Sequence, residues 1–189
     1  MAFSPTPDHD GERDAAERDD VERDDAPSPR ALVGWLGARP LAVAAAFVDA
    51  VVRPGSVTPV AGPEPWLLGV TAVRGRVLPV ADLRRLVGGS AVEGDGEPGG
   101  GWHVVVDDGR RAAALAGLRL RQVAPCAFAE DEAPGVGVGG WGGGPLPVRG
   151  VARLEGDTTR GAEALPPEAA LLDVAALLDL VHDPRTDGD

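Results

Sequence analysis

Between residues 66 and 88 the chain reads WLLGVTAVRGRVLPVADLRRLVG, and its apolar and polar positions pack several elements into little length. The apolar run Trp66–Val73 is short, rich in β-branched residues and interrupted by Gly69, which predicts a strand rather than a free-standing helix. Val73-Arg74-Gly75-Arg76 turns the chain, and Val77-Leu78-Pro79-Val80 resumes it as a second strand. Asp82 then has the chemistry of an N-cap, a carboxylate that accepts from a free backbone N–H at the start of a short helix, Leu83–Val87. Pro79 has no N–H to give a ladder, so this second strand is expected at an edge or beside a bulge.

The same reading extends along the body. Ala31–Leu36 and Leu41–Ala44 predict a hairpin around Gly37-Ala38-Arg39-Pro40, whereas Ala45–Arg53 fits either a helical turn or a strand. Trp102–Val106 and Arg111–Leu115 flank Asp107-Asp108-Gly109-Arg110, a strong hairpin signal because Asp-Gly accepts positive φ. Leu118–Val123 alternates Leu and Arg as a half-buried strand does. Val148–Leu154 and Ala170–Leu172 predict two more strands, with Asp173 capping a helix to about Val181. Loops are expected at 54–65, 88–101 and 130–147, and a polar excursion at 155–168. Val73-Arg74-Gly75 and Val148-Arg149-Gly150 each lead to a strand, a capping Asp and a Leu-rich helix. Two similar halves of short strands and glycine turns favour two small barrels over a sandwich.

Charge changes this picture at one end. Residues 1–29 carry ten acidic residues against three Arg, a net of −7 out of −12 for the 189-residue chain, and almost no apolar side chains. Such a segment has nothing to offset the entropy of ordering, so 1–29 is expected to be a disordered acidic tail, 30–183 the folded domain and 184–189 a disordered C-terminus. An acidic body has no general attraction for polyanions, which argues against nucleic acid and anionic membranes as partners. Every Lys/Arg position is Arg, a bias that looks compositional. The single Cys126 excludes an internal disulfide framework, fits a reducing compartment, and reads as a buried thiol rather than a nucleophile. No apolar run approaches the roughly 18–20 residues of a membrane span, and no secretory signal is evident, so a cytoplasmic protein without membrane insertion is expected.

Enzyme readings lack parts. The glycine-rich stretch at 135–144 has no following Lys-Ser/Thr and no strand-to-helix setting, so it is a poor phosphate cradle. His9, His103 and His182 form no pair at metal-ligand spacing. Asp107-Asp108 before Gly109 reads as turn chemistry, and Asp82 and Asp173 as caps. No catalytic residue, metal or cofactor is expected. Arg74 has two readings of equal weight: a brace paired with a carboxylate, or an exposed anchor for a partner.

The order of features from Ala31 to Val181 resembles the CheW family of chemotaxis coupling proteins. Its pattern G-V-x-N-L-R-G-x-x-x-P-V-x-D-L-R is matched here by Gly69-Val70-Thr71-Ala72-Val73-Arg74-Gly75 and Pro79-Val80-Ala81-Asp82-Leu83-Arg84, with Ala72 in place of the family's Asn. Val48-Asp49-Ala50-Val51 stands for the preceding V-x-x-V, and the second half matches through 102–116, Val148–Val151 and Leu171–Val174. The resemblance implies an all-β (mainly β) fold of two SH3-like five-stranded β-barrels around a shared core, with short helices including a C-terminal one. It also implies a non-enzymatic bacterial adaptor joining the cytoplasmic tip of a chemoreceptor (a methyl-accepting chemotaxis protein) to the regulatory domain of a CheA-type histidine kinase. The partner-facing positions would be Val48, Gly69, Val73, Arg74 and Gly75. A divergent scaffold serving a non-flagellar signalling system is the alternative, and a small-molecule-binding β-barrel is the rival of another class.

Overall fold

The computed structural model describes residues 28–53, 55–62, 64–88, 101–130, 146–155 and 166–183. The expected tail lies outside them except for its last two residues, as do the central parts of the loops at 88–101 and 130–147, most of the 155–168 excursion, and 184–189.

β1 (Arg30–Leu36) and β2 (Arg39–Ala44) form the first hairpin, followed by a 3-10 turn at Ala45–Phe47 and β3 (Val48–Val52). The ambiguity at 45–53 therefore resolves into both elements. β4 (Leu67–Val73), β5 (Arg76–Asp82) and α1 (Leu83–Leu86) come next. After them run β6 (His103–Asp107), β7 (Ala112–Ala116), β8 (Arg119–Glu130), β9 (Val148–Leu154), β10 (Glu168–Leu172) and α2 (Val174–His182). The strands make two five-stranded sheets. One is a closed barrel in the order β1-β2-β10-β9-β8, and the other runs β3-β6-β7-β5-β4.

Strand, strand, strand, strand pair and helix thus occur twice, as β1–β5 with α1 and as β6–β10 with α2. Each sheet takes the leading hairpin of one repeat and the remaining three strands of the other. The pairings correspond: β1 with β8 and β6 with β3 are antiparallel, while β2 with β10 and β7 with β5 are parallel. The Val-Arg-Gly echo needs a correction in register. Val73-Arg74-Gly75 ends β4 at a hairpin tip, whereas Val148-Arg149-Gly150 opens β9. The topological counterpart of Gly150 is Gly69.

Two prolines sit inside interior strands. The first hairpin turns on Gly37-Ala38 alone, because Leu36 pairs with Arg39 and Pro40 already lies in β2 opposite Trp35. β5 likewise lies between β7 and β4, not at an edge, although β7 joins only from Val80 onward. Pro79 pairs with Val70, whose own N–H and C=O are both engaged by Thr58, so no ladder bond is required there. Pro40 follows the same rule, since β10 joins β2 at the next residue, Leu41. The missing donor costs nothing where no acceptor is presented.

Alternation along the strands feeds two kinds of core. Ala31, Val33, Ala42, Ala124, Cys126, Ala152, Ala169 and Leu171 fill the closed barrel, and small side chains suit its narrow interior. Leu32, Leu41, Val43, Leu86, Val104, Leu115, Leu172 and Leu177 face a larger core shared by both sheets and both helices. Asp82 caps α1 by accepting from the Arg84 N–H at 3.0 Å, and Asp173 caps α2 by accepting from Ala176 N–H at 3.0 Å. Each cap also donates its own N–H to the residue before its hairpin, Asp82 to the Trp66 carbonyl at 2.8 Å and Asp173 to the Pro147 carbonyl at 3.1 Å.

Candidate functional site

The β4–β5 hairpin closes through two residues, Arg74 and Gly75, with φ of 49° and 80°. Positive φ at both is the geometry of a type I′ turn, whose twist matches the strands it joins. Glycine takes that conformation freely. Arginine does not, and Arg74 is the one non-glycine residue with positive φ among the described residues. Its place at the tip costs about 1 kcal/mol. Arg74 Nη1 stands 4.0 Å from Asp49 Oδ2, with the two side chains 69% and 42% exposed. At that distance and exposure the pair adds little stability. The brace reading of Arg74 is therefore weak.

The five positions named above do not form one surface patch. Arg74 and Gly75 are exposed at the tip, and Val73 is buried beneath them against Ala50, Leu78, Val105 and Ala112. Val48 is half-buried at the start of β3, next to Asp49, which bulges between Val48 and Ala50. Gly69 is buried in the second sheet, four residues from Val73 along β4. A Cβ there would collide with the Thr58 carbonyl oxygen, and its φ of 142° further favours glycine.

The structure adds residues that the sequence pattern passed over. Arg76 Nη1 donates to Asp107 Oδ2 at 2.8 Å, tying the tip end of the hairpin to β6. Val77 is 70% exposed, opposite the exposed Ala72 on the outer face of the hairpin. A Val at an outward strand position is the signal that could have marked it. At the far end of the same sheet the Arg53 guanidinium lies 5.4 Å from the ring centre of Trp102, itself 47% exposed.

Asp107 and Asp108 do what the turn reading expects. Asp107 accepts from the Gly109 N–H at 2.7 Å, and Asp108 from the Arg110 and Arg111 N–H groups at 2.8 and 2.7 Å. The hydrogen bonds from Arg76 and Gly109 hold the Asp107 carboxyl below its usual range, and those from Arg111 and Arg110 do the same for Asp108. Both are anions at neutral pH, occupied in the turn. Arg111 also pairs with Asp179 of α2, which raises the guanidinium further. His182 Nε2 lies 3.1 Å from the Ala112 carbonyl oxygen, a second tie between α2 and this hairpin. Cys126 is buried inside the closed barrel, where burial first and the Glu155 charge second push its thiol up. Among the described residues no group of three or more His, Cys, Asp or Glu is placed to hold a metal ion, and no helix is long and apolar enough to cross a membrane.

Two five-stranded sheets built from swapped halves of a duplicated chain, sharing one core, define a mainly β class of protein. Within that class the chain belongs to the CheW-like domain family, whose profile matches residues 31–182. A search of curated proteins finds no match. Among solved structures the chain is similar to the scaffolding protein TtCheW from Thermoanaerobacter tengcongensis, at 17% identity and a TM-score of 0.57, covering 78% of this chain and 85% of that one.

Proposed function

We propose that this chain is a chemotaxis-type coupling adaptor, a bacterial cytoplasmic protein that joins a chemoreceptor tip to the regulatory domain of a CheA-type histidine kinase. In this reading residues 30–183 are the coupling domain and 1–29 an acidic extension. The β4–β5 tip with the start of β3 forms the partner-facing surface: Arg74 and Gly75 touch the partner, Val48 borders the contact, and Val73 and Gly69 shape the wall behind it. Family membership supports the adaptor role in general. The observation that carries the surface is Arg74 itself, a strained and exposed cation whose only ion pair among the described residues is a loose one. Strain held at an exposed position favours a role in recognition over one in stability.

The test is co-purification with a receptor-tip fragment and a kinase regulatory fragment. Arg74→Gly removes guanidinium and strain together, so it should raise thermal stability slightly while weakening at least one of the two complexes about tenfold or more. Failure of the native chain to bind either fragment refutes the adaptor reading. Normal binding by a stable Arg74→Gly variant refutes the surface.

A further inference from the structure

His103 opens β6 at the end of the second sheet away from the hairpin tip. It is 1% exposed, and neither ring nitrogen has a hydrogen-bond partner among the described residues. By strand alternation it shares a face with Val105, which packs with Ala50, Val73, Leu78 and Ala112. Val52 of β3 is its cross-strand partner, and on β7 Ala116 lies one position beyond the Val104–Leu115 pair.

No charge on these elements is placed to help it. On β3, Asp49 is at the far end with Arg74, and just beyond the strand Arg53 lies over Trp102. On β6, Asp107 is held by Arg76 of β5. Asp82, the last residue of β5, is engaged by Arg84 and Arg85, and Arg111 beside β7 by Asp108 and Asp179. β4 contributes Thr71, whose hydroxyl donates to the Ser56 carbonyl at 3.2 Å. A charged imidazolium here would be buried with neither counter-ion nor acceptor among the described residues.

We propose that His103 makes the β3–β7 sheet the acid-sensitive half of the molecule: between pH 7 and 5.5 the sheet opens at its Val52–His103 end while the β1–β2–β8–β9–β10 barrel stays closed. Burial holds the imidazole below its ordinary value, so the opened state takes up the proton first. The stabilisation is complete above the unfolded value near 6.5 and is lost as pH falls, the opening equilibrium growing up to tenfold per pH unit. The chain has only three histidines, so few groups compete in this range. His9 lies in the acidic extension, and His182 is in α2, its Nε2 3.1 Å from the Ala112 carbonyl oxygen. Opening would reach the hairpin because Val73 and Leu78 pack on the same face. This inference concerns the fold alone and stands whether or not the coupling partners are those proposed.

Amide hydrogen exchange on the full chain at pH 7.0 and 5.5, corrected for intrinsic rates, tests it beside His103→Phe and His103→Met. The native chain should lose about tenfold protection at Val52 and Val104 on acidification, with amides of β9 and β10 little changed. Both variants should hold that protection. An equal acid response in the variants, or an equal loss in both sheets, overturns the proposal. NMR titration of His103 in the native chain covers the case in which neither variant folds: titration at or above 6.5 also overturns it.

Discussion

In the β9–β10–α2 unit, the strand before the hairpin is unbroken: β8 runs for 12 residues, pairing with β1 through Pro125 and with β9 from Cys126 onward. In the β4–β5–α1 unit the corresponding stretch is split. β3 ends after 5 residues, and among the described residues the chain returns to β4 only at two points: Thr58, an isolated bridge to Val70, and the Ser56 carbonyl, which accepts from the Thr71 hydroxyl. The helices differ in the opposite sense to what their caps require. α2 has 9 residues and buries Val174, Leu177, Leu178 and Val181, so its cap is one contribution among several. α1 has 4 residues, and its capping Asp82 is 2% exposed, flanked by Arg84 at 3.3 Å and Arg85 at 3.7 Å. One half is closed by a ladder and held by a helix. The other is closed at two points and held by a buried carboxylate. The same duplicated plan tolerates both because the shared core covers either arrangement.

Substitution of the two equivalent glycines probes that difference most strongly. A Cβ at Gly150 meets the Ala129 carbonyl oxygen, which is fixed in the β8–β9 ladder and cannot yield. A Cβ at Gly69 meets the Thr58 carbonyl oxygen, held by the bridge alone, but the positive φ there adds strain of its own. Both Ala variants should cost about 2–3 kcal/mol in denaturant unfolding. Their signatures differ: Gly69→Ala should also release the Thr58 and Val70 amides to exchange, whereas Gly150→Ala lowers the whole barrel. Matching exchange patterns would mean that the two closures are equivalent after all.

The caps come next in size. Asp173→Ala should cost about 1 kcal/mol, the usual value of a lost N-cap. Asp82→Ala should cost about 2 kcal/mol, because two guanidinium groups lose their partner as well. The loss stays below that of a fully buried pair, since the Arg84 and Arg85 side chains are 17% and 39% exposed and can rehydrate. Asp82→Asn keeps the capping oxygen and should fall between the two. Equal costs for the two Ala variants, measured by thermal or urea unfolding, would show that the arginines contribute nothing.

Local chemistry made much of the fold legible. Asp82 and Asp173 announced their helices, Asp108-Gly109 its hairpin, and the short runs of Val, Leu and Ala most strand centres. The prolines were read in part. Pro79 argued for an edge or a bulge. Its strand is interior, but the β4–β5 register does shift beside it, between Leu67 and Gly69 opposite Ala81 and Val80. Pro40 argued for a turn, yet it lies in an interior strand. Register is a property of pairs and is invisible in a single strand. The length of β8 was missed for a related reason, because Pro125 breaks the alternation where the strand passes from β1 to β9. At the candidate surface, Arg74-Gly75 stood out as a tip. The Arg76–Asp107 and Arg111–Asp179 pairs did not, since their partners lie 31 and 68 residues apart. The solitude of His103 is likewise a fact of packing, not of spacing.

The smallest effect expected concerns the bridge itself. Thr58 donates to the Val70 carbonyl at 2.8 Å and accepts from the Val70 N–H at 2.9 Å. Thr58→Pro removes the first bond and leaves the second, and it adds a further ring next to Pro59. One exposed-edge hydrogen bond is worth about 1 kcal/mol, so global stability should fall by no more than that. Exchange at Val70 should nevertheless rise well beyond exchange at Val151, its counterpart in β9, because among the described residues the only other tie across the gap between β3 and β4 is the Thr71 hydroxyl to the Ser56 carbonyl. If Thr58→Pro instead unfolds the chain as fully as Gly150→Ala, then a single bridge does the work of a ladder, and the second sheet is as firmly closed as the first.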